Sequence, residues 1–246
     1  MPIDFLKIAG CQVPDVRGDP GRAMEIVRTM SAEAAARGAG LVTFPECFLQ
    51  GYDVAPAHVR ETAIDLSSGE FSNMMRALQD IDVVVVLGLI ERDSWGCYNS
   101  AVISRRGEML ARYRKKNLTN SEQAVFRAGT ETPIVDVDGV KVSVNICYDL
   151  QFPEGVLAAA RAGARVLACP CNNMLRRSSA EQWKSRHNEI RSTRARESDV
   201  WLVSSDVTGW SGERVSFGPT AIIGPDGIVR TQVPLLTEGI ALWEAH

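Results

Sequence analysis

The chain has 246 residues, with 30 acidic against 27 basic side chains and a formal net charge of -3, and an isoelectric point near 5.7. That balance argues against a dedicated nucleic-acid binder, and no apolar run approaches the roughly 20 residues needed to span a bilayer. The first residues, Met1 to Phe5, lack a basic region and carry an early acid, so the expectation is a cytoplasmic protein without nucleic-acid or membrane partners.

The length suits one undivided domain over 1–246, with no linker, low-complexity tract or short-period repeat in view. Leu6-Lys7-Ile8-Ala9 opens the chain as a strand. Ala23, Met24, Ile26, Val27, Met30 and Ala34 then form the stripe of a helix predicted from Asp19-Pro20 to Gly38. Leu41-Val42-Thr43-Phe44 is a second strand, with the carboxylate of Glu46 just past its end. Phe71, Met74, Met75 and Leu78 make another helical stripe, and Val83 to Gly88 a third strand. Hairpin signals follow at Arg105-Arg106-Gly107, Asp138-Gly139 and Asp226-Gly227, so part of the pairing is antiparallel. Between the first two lies a strand running into Tyr113-Arg114-Lys115-Lys116-Asn117-Leu118, which sets ammonium groups after its end.

Val140, Val142, Val144 and Ile146 alternate with polar residues, the period of a strand, and the run ends on Cys147. Pro153 suits the first turn of a helix, Ala158, Ala159 and Ala160 continue it, and Gly163 stops it. Arg165 to Ala168 and Val200 to Val203 are further strands, and Trp183, His187 and Ile190 share a helix face. Strands of nearly continuous apolar character alternating with helices predict an α/β protein, its parallel or mixed sheet covered by helices.

Free cysteine is usually a small buried hydrophobe. Cys147 departs from that pattern by its place at the carboxyl end of a strand leading into a helix, the edge where α/β active sites collect. The six cysteines form no CxxC pair or metal-ligand spacing, and Cys169-Pro170-Cys171 reads as buried packing. The three histidines, His58, His187 and His246, are poorly placed to activate a thiol. A cysteine enzyme built on this chain needs another base, and Glu46 and the lysines near 115 are the available charged partners.

At these residues the chain resembles the nitrilase, or carbon-nitrogen hydrolase, superfamily, whose Glu-Lys-Cys triad lies in three motifs in this order. Phe44-Pro45-Glu46 resembles the first, Tyr113 to Leu118 the second, and Asn145-Ile146-Cys147-Tyr148-Asp149 with Phe152-Pro153-Glu154 the third. Arg194-Ala195-Arg196-Glu197-Ser198 and Gly218 to Gly227 resemble two later segments, so the similarity covers nearly the whole chain. The family spacing of lysine three residues before leucine selects Lys115 over Lys116. Ser198 stands where relatives commonly have asparagine, which bears on a helix-end contact. Relatives also commonly extend beyond the position of His246, so the geometry of any oligomer is left open.

The resemblance implies an α-β-β-α sandwich of four layers and acyl transfer through a thioester on Cys147. Glu46 is then the general base, and Lys115 with the backbone N–H of Tyr148 the oxyanion donors. Glu122 resembles a second glutamate beside the lysine, although an acid in the polar loop 119–123 reads equally well as solvated. Tyr148-Asp149 resembles the amide-cleaving branches, which favours a small amide or N-carbamoyl substrate over a nitrile. A non-enzymatic binding module on the same fold is the reading from another class. By position, Asn172, Asn173 and Thr208 belong to the acyl pocket, and Arg176 or Arg177 is either a carboxylate anchor or a solvated arginine. Neither metal nor cofactor is implied, and a homodimer or higher homo-oligomer is expected.

Overall fold

The structure is a computed structural model describing residues 5–246. Met1 to Asp4, which belong to the N-terminal segment considered above, lie outside the described residues. Strands form where the apolar runs stand. β1 (Leu6–Pro14), β2 (Leu41–Thr43), β3 (Val84–Asp93), β4 (Gly96–Arg105) and β5 (Glu108–Arg114) make a first sheet in the order β5-β4-β3-β2-β1. The β1, β2 and β3 neighbours are parallel, and β3, β4 and β5 form an antiparallel meander closed by the hairpin at Arg106 and Gly107.

A second sheet contains β6 (Val135–Val137), β7 (Val140–Val144), β8 (Val166–Pro170) and, beyond the short β9 (Leu175–Arg176), β10 (Trp201–Ser211), in the order β10-β8-β7-β6. β11 (Arg214–Ser216) bridges β9 to the end of β10, while β12 (Ala221–Ile223) pairs antiparallel with β10 and β13 (Val229–Gln232) antiparallel with β12. β14 (Gly239–Ala245) pairs antiparallel with β1. The sheets join where β1 and β10 run parallel, from Gln12–Asp206 to Pro14–Thr208. Gly10 sits at this junction because a Cβ there would lie 2.3 Å from the Ser204 carbonyl oxygen.

Three apolar layers follow. Ile8, Leu41, Val86, Ile103, Val142, Val144, Val166 and Val203 fill the space between the two sheets. On the outer face of the first sheet lie α1 (Pro20–Ala36), whose Asp19 side chain caps the N-terminus by accepting from Arg22 N–H, and α3 (Gly69–Met75), while Val59 of α2 (Pro56–Thr62) packs in a separate cluster with Cys47, Ile90 and Phe126. Ala23, Met24 and Val27 of α1 and Phe71 and Met75 of α3 pack there against Val42, Val85 and Leu87. On the outer face of the second sheet, α4 (Pro153–Arg161) and α6 (Arg186–Ser198), the latter preceded by α5 (Arg177–Trp183), bring Val156, Ala159 and Ala195 against Leu167 and Leu202. Each buried Val, Leu, Ile, Met or Phe among them contributes about 1.5–3 kcal/mol by leaving water. The architecture is the expected four-layer α-β-β-α sandwich.

The strand directions place the chemistry. β1, β2, β3, β5, β7, β8 and β10 all run the same way, so their carboxyl ends share one edge, and β4, running oppositely, begins there. Among the described residues no helix is long and apolar enough to cross a membrane.

Candidate active site

Four segments meet on that edge. After β2 the chain turns sharply at Glu46 and Cys47, the latter at φ 49°, and Glu46 N–H donates to the Cys171 carbonyl at 3.1 Å. This turn crosses directly over β3 at Gly88, where a Cβ would come within 2.1 Å of the Pro45 carbonyl oxygen and 2.8 Å of the Glu46 Cα. Glycine at 88 therefore admits the glutamate to its position. Lys115, one residue past β5, is held on both sides by its backbone, N–H to the Asn99 carbonyl at 2.8 Å and carbonyl to Gly129 N–H at 2.9 Å. Past β7, Asn145 N–H still reaches the Ala168 carbonyl at 3.1 Å. Cys147 then takes φ 43° and opens a short 3-10 turn, Cys147–Gln151, that feeds α4. A cysteine in this left-handed region is strained, and such strain collects at functional positions.

Glu46, Lys115 and Glu122 form a buried cluster, each about 1% exposed or less. Lys115 Nζ donates to Glu46 Oε1 at 2.7 Å, to Glu122 Oε1 at 2.8 Å and to Glu122 Oε2 at 3.0 Å. Asn99 Nδ2 donates to the same two Oε1 atoms, at 2.7 and 2.8 Å. The outer oxygens are held by backbone: Asn172 N–H reaches Glu46 Oε2 at 3.1 Å, and Thr119 N–H reaches Glu122 Oε2 at 2.8 Å. Glu122 thus lies beside the lysine and not in solvent, one turn of 3-10 helix placing it there. Lys116 points elsewhere, its Nζ donating to Thr132 Oγ1 at 2.5 Å.

The Cys147 thiol is held well above its ordinary pKa by the neighbouring Cys171 thiol, by burial and by the Glu46 carboxylate, with Lys115 opposing. At neutral pH it is a thiol, so a base must take its proton before it attacks. Burial raises Glu46 as well, against the pull of Lys115 and with a push from Glu122, making it a stronger base than an ordinary carboxylate. Burial acts on Glu122 in the same sense, but Lys115 and the hydrogen bonds outweigh it and its pKa falls. Lys115 remains an ammonium because the Glu46 and Glu122 carboxylates overcome the effect of its burial.

The profile of the carbon-nitrogen hydrolase family matches residues 7–244. The chain belongs to that family. It is 30% identical over 231 residues to an (R)-stereoselective amidase of Pseudomonas sp., covering 93% of this chain and 79% of the relative. It is 29% identical to a nitrilase of Pyrococcus abyssi, covering 98% and 89%. The crystal structure of an amidase from Nesterenkonia sp. superposes with a TM-score of 0.83 at 25% identity, covering 97% of this chain and 89% of that one.

In this carbon-nitrogen hydrolase, motif residues outside the triad brace the cluster. Asp149 is a hub. Its Oδ2 accepts from Ile146 N–H at 2.9 Å and Tyr113 hydroxyl at 2.8 Å, and its Oδ1 accepts from Asn117 N–H at 2.7 Å and Asn117 Nδ2 at 3.0 Å. One carboxylate so ties the lysine segment to the cysteine turn, while Asn145 Nδ2 donates to the Tyr113 hydroxyl at 3.0 Å. Asn99 was not singled out in the sequence. Its only signal is an amide just ahead of the apolar run Ala101-Val102-Ile103.

The predicted pocket residues have distinct surroundings. Tyr148 is exposed and packs edge-on against Phe152, centroids 5.4 Å apart. Asn172 contributes its backbone N–H to Glu46, and its side chain accepts from Met174 N–H at 3.2 Å. Asn173 is buried, with N–H donating to Asp206 Oδ1 at 3.0 Å and Nδ2 to Asp206 Oδ2. Thr208 is buried too, its hydroxyl 3.4 Å from the Ser216 carbonyl oxygen. Arg176 and Arg177 are exposed, Arg177 lying over the Trp210 ring at 5.8 Å.

Cys169 and Cys171 are buried, their Sγ atoms 3.5 Å apart, with the Arg191 guanidinium 3.3 Å from Cys171 Sγ. Behind them Asp206, shielded from water yet facing Arg191, is pushed up to about 6. Ser198, the departure from the family pattern at the end of α6, has a buried hydroxyl with no hydrogen-bond partner in the protein, so the helix-end contact is missing. Among the described residues no group of three or more His, Cys, Asp or Glu is arranged to hold a metal ion.

Proposed function

We propose that the protein hydrolyses a small amide or N-carbamoyl compound through a thioester on Cys147, releasing ammonia or an amine. The observation that carries this reading is the buried Glu46–Lys115–Glu122 cluster on the strand edge where Cys147, at φ 43°, opens the turn after β7. Glu46 Oε1 already accepts from Lys115 and Asn99, whereas Oε2 accepts only the Asn172 N–H. Oε2 is therefore the oxygen with capacity for the thiol proton. Attack of Cys147 Sγ on the carbonyl carbon transfers that proton to Glu46, which passes it to the leaving nitrogen as the C–N bond breaks. Glu46 then takes a proton from water attacking the thioester, and the acid product leaves with the thiol restored.

Lys115 has three N–H groups, and its longest contact, 3.0 Å to Glu122 Oε2, is the one to be surrendered to the oxyanion as it forms. The backbone N–H of Tyr148 is the second donor in this reading. Glu122 fixes Lys115 and offsets its charge. Support for an amide over a nitrile comes from Tyr148-Asp149 and from the amidases of Pseudomonas sp. and Nesterenkonia sp. among the relatives. The Pyrococcus abyssi nitrilase supports the second reading, a small nitrile.

Ammonia release across a panel of small aliphatic amides, N-carbamoyl amino acids and nitriles separates the readings. Turnover of amides or carbamoyl compounds with nitriles inert is the expected result, and inertness toward all three would leave only a binding module. Because acid, base and oxyanion donor are all side chains or backbone, exhaustive chelation is expected to leave turnover unchanged. Loss of activity restored specifically by zinc or manganese would reject the metal-free mechanism.

A further inference from the structure

The Asn99 amide and the Lys115 ammonium close a four-sided ring with two carboxylate oxygens. Each nitrogen donates to both Glu46 Oε1 and Glu122 Oε1, at 2.7 and 2.8 Å in either case. Two like charges are thereby held on neighbouring atoms, far from water, by one cation and one neutral amide. The amide oxygen, in contrast, is buried without a hydrogen-bond partner in the protein. A buried unpaired acceptor costs stability, so the amide is not explained by the needs of the fold. The place of Asn99 in the sheet comes from its backbone, which pairs with Ile90 and accepts from Lys115 N–H, and an apolar side chain would preserve both.

We propose that Asn99 is a positioning residue for the reaction, holding Glu46 and Glu122 side by side on Lys115 and keeping Glu46 in its proton-accepting form at neutral pH. This rests on the role given to Glu46 above. The physical logic is one of graded strength. With no donor opposite Lys115, two adjacent buried carboxylates share a proton, and the base is lost. With a second cation there, Glu46 becomes too weak a base for a thiol. A neutral N–H pair lies between these limits, and its bond to Glu46 favours the charged carboxylate. The other groups that bear on Glu46 do not fill this role. Lys115 is shared with Glu122, the buried Cys47 and the partly buried Tyr52 are neutral with raised pKa values, and Cys147 is the proton's source.

The test compares Asn99→Ala, which removes both donors, with Asn99→Ser, which keeps one hydroxyl donor, each checked for native circular dichroism. Two readouts are taken across pH: kcat and KM on the best amide, and the rate of Cys147 alkylation by iodoacetamide, which needs no turnover. Asn99→Ala is expected to lower kcat at neutral pH by at least about tenfold with KM little changed. The acid limb of both profiles should move to higher pH by about one unit, and Asn99→Ser should fall between Asn99→Ala and the wild type.

A folded Asn99→Ala protein whose acid limb stays in place overturns the proposal, as does a rise in KM at constant kcat. Failure to obtain any folded Asn99 variant overturns it as well, since that would make the residue a requirement of the fold. A wild-type protein inert toward every substrate sinks the functional reading instead, and the alkylation profiles still decide the role of Asn99.

Discussion

Cys147→Ala is expected to reduce ammonia release by at least about 10⁴-fold while leaving the folded structure in place. The loss is large because no other group supplies the missing step. Cys171 is the neighbouring thiol, but it is buried, bonded to Cys169 and Arg191, and well above its ordinary pKa. Stability should change little, by about 1 kcal/mol or less, since alanine tolerates φ 43° no worse than cysteine and Cys147 is only partly buried. Turnover and the thermal melt of the variant make the comparison. Wild-type protein quenched during turnover should also carry the acyl mass on the peptide containing Cys147. Retained activity in a folded Cys147→Ala protein would remove the nucleophile assignment altogether.

The second large effect separates two adjacent lysines. Lys115→Met should slow single-turnover acylation by about three orders of magnitude, because charge that develops only in the transition state loses its ammonium partner. Glu46 and Glu122 are also left facing each other with only Asn99 between them. One of the pair then takes up a proton, and the variant should be destabilised by about 3 kcal/mol, readable in urea unfolding. Lys116→Met should change acylation no more than a few-fold, because its Nζ donates to the half-buried Thr132 hydroxyl, away from Glu46 and Glu122. A larger acylation defect at Lys116 than at Lys115 is the result that contradicts the proposed site.

Much of the fold is written locally. Asp19-Pro20 and Gly38 bracket α1 because a capping carboxylate, a proline in the first turn and a glycine at φ 83° act within a few residues of themselves. The three hairpins turn where predicted, with Arg106, Gly107, Asp138, Gly139 and Gly227 all at positive φ. Strand extent was less legible. β3 continues past the predicted end at Gly88 through Glu91, Arg92 and Asp93, because a ladder to β4 runs unbroken from Val84–Arg105 to Asp93–Gly96. Trp183 and His187 still stack at 5.7 Å, but across a break between α5 and α6 and not along one helix.

For this protein the sequence by itself determined the order of elements, the family and the residues of the three motifs, since each is carried by short-range pattern or by residues a few positions apart. Tertiary structure alone decided which charges meet. Nothing in the spacing links Asn99 to Glu46, 53 positions away, or distinguishes a solvated Glu122 from one sealed against Lys115. Those contacts arise because parallel strands from two sheets bring their carboxyl ends to one edge and exclude water there. Exclusion of water is what converts ordinary carboxylates, an amine and a thiol into a base, a cation and a protonated nucleophile with altered proton affinities, a property of neighbours in space and not of neighbours in the chain.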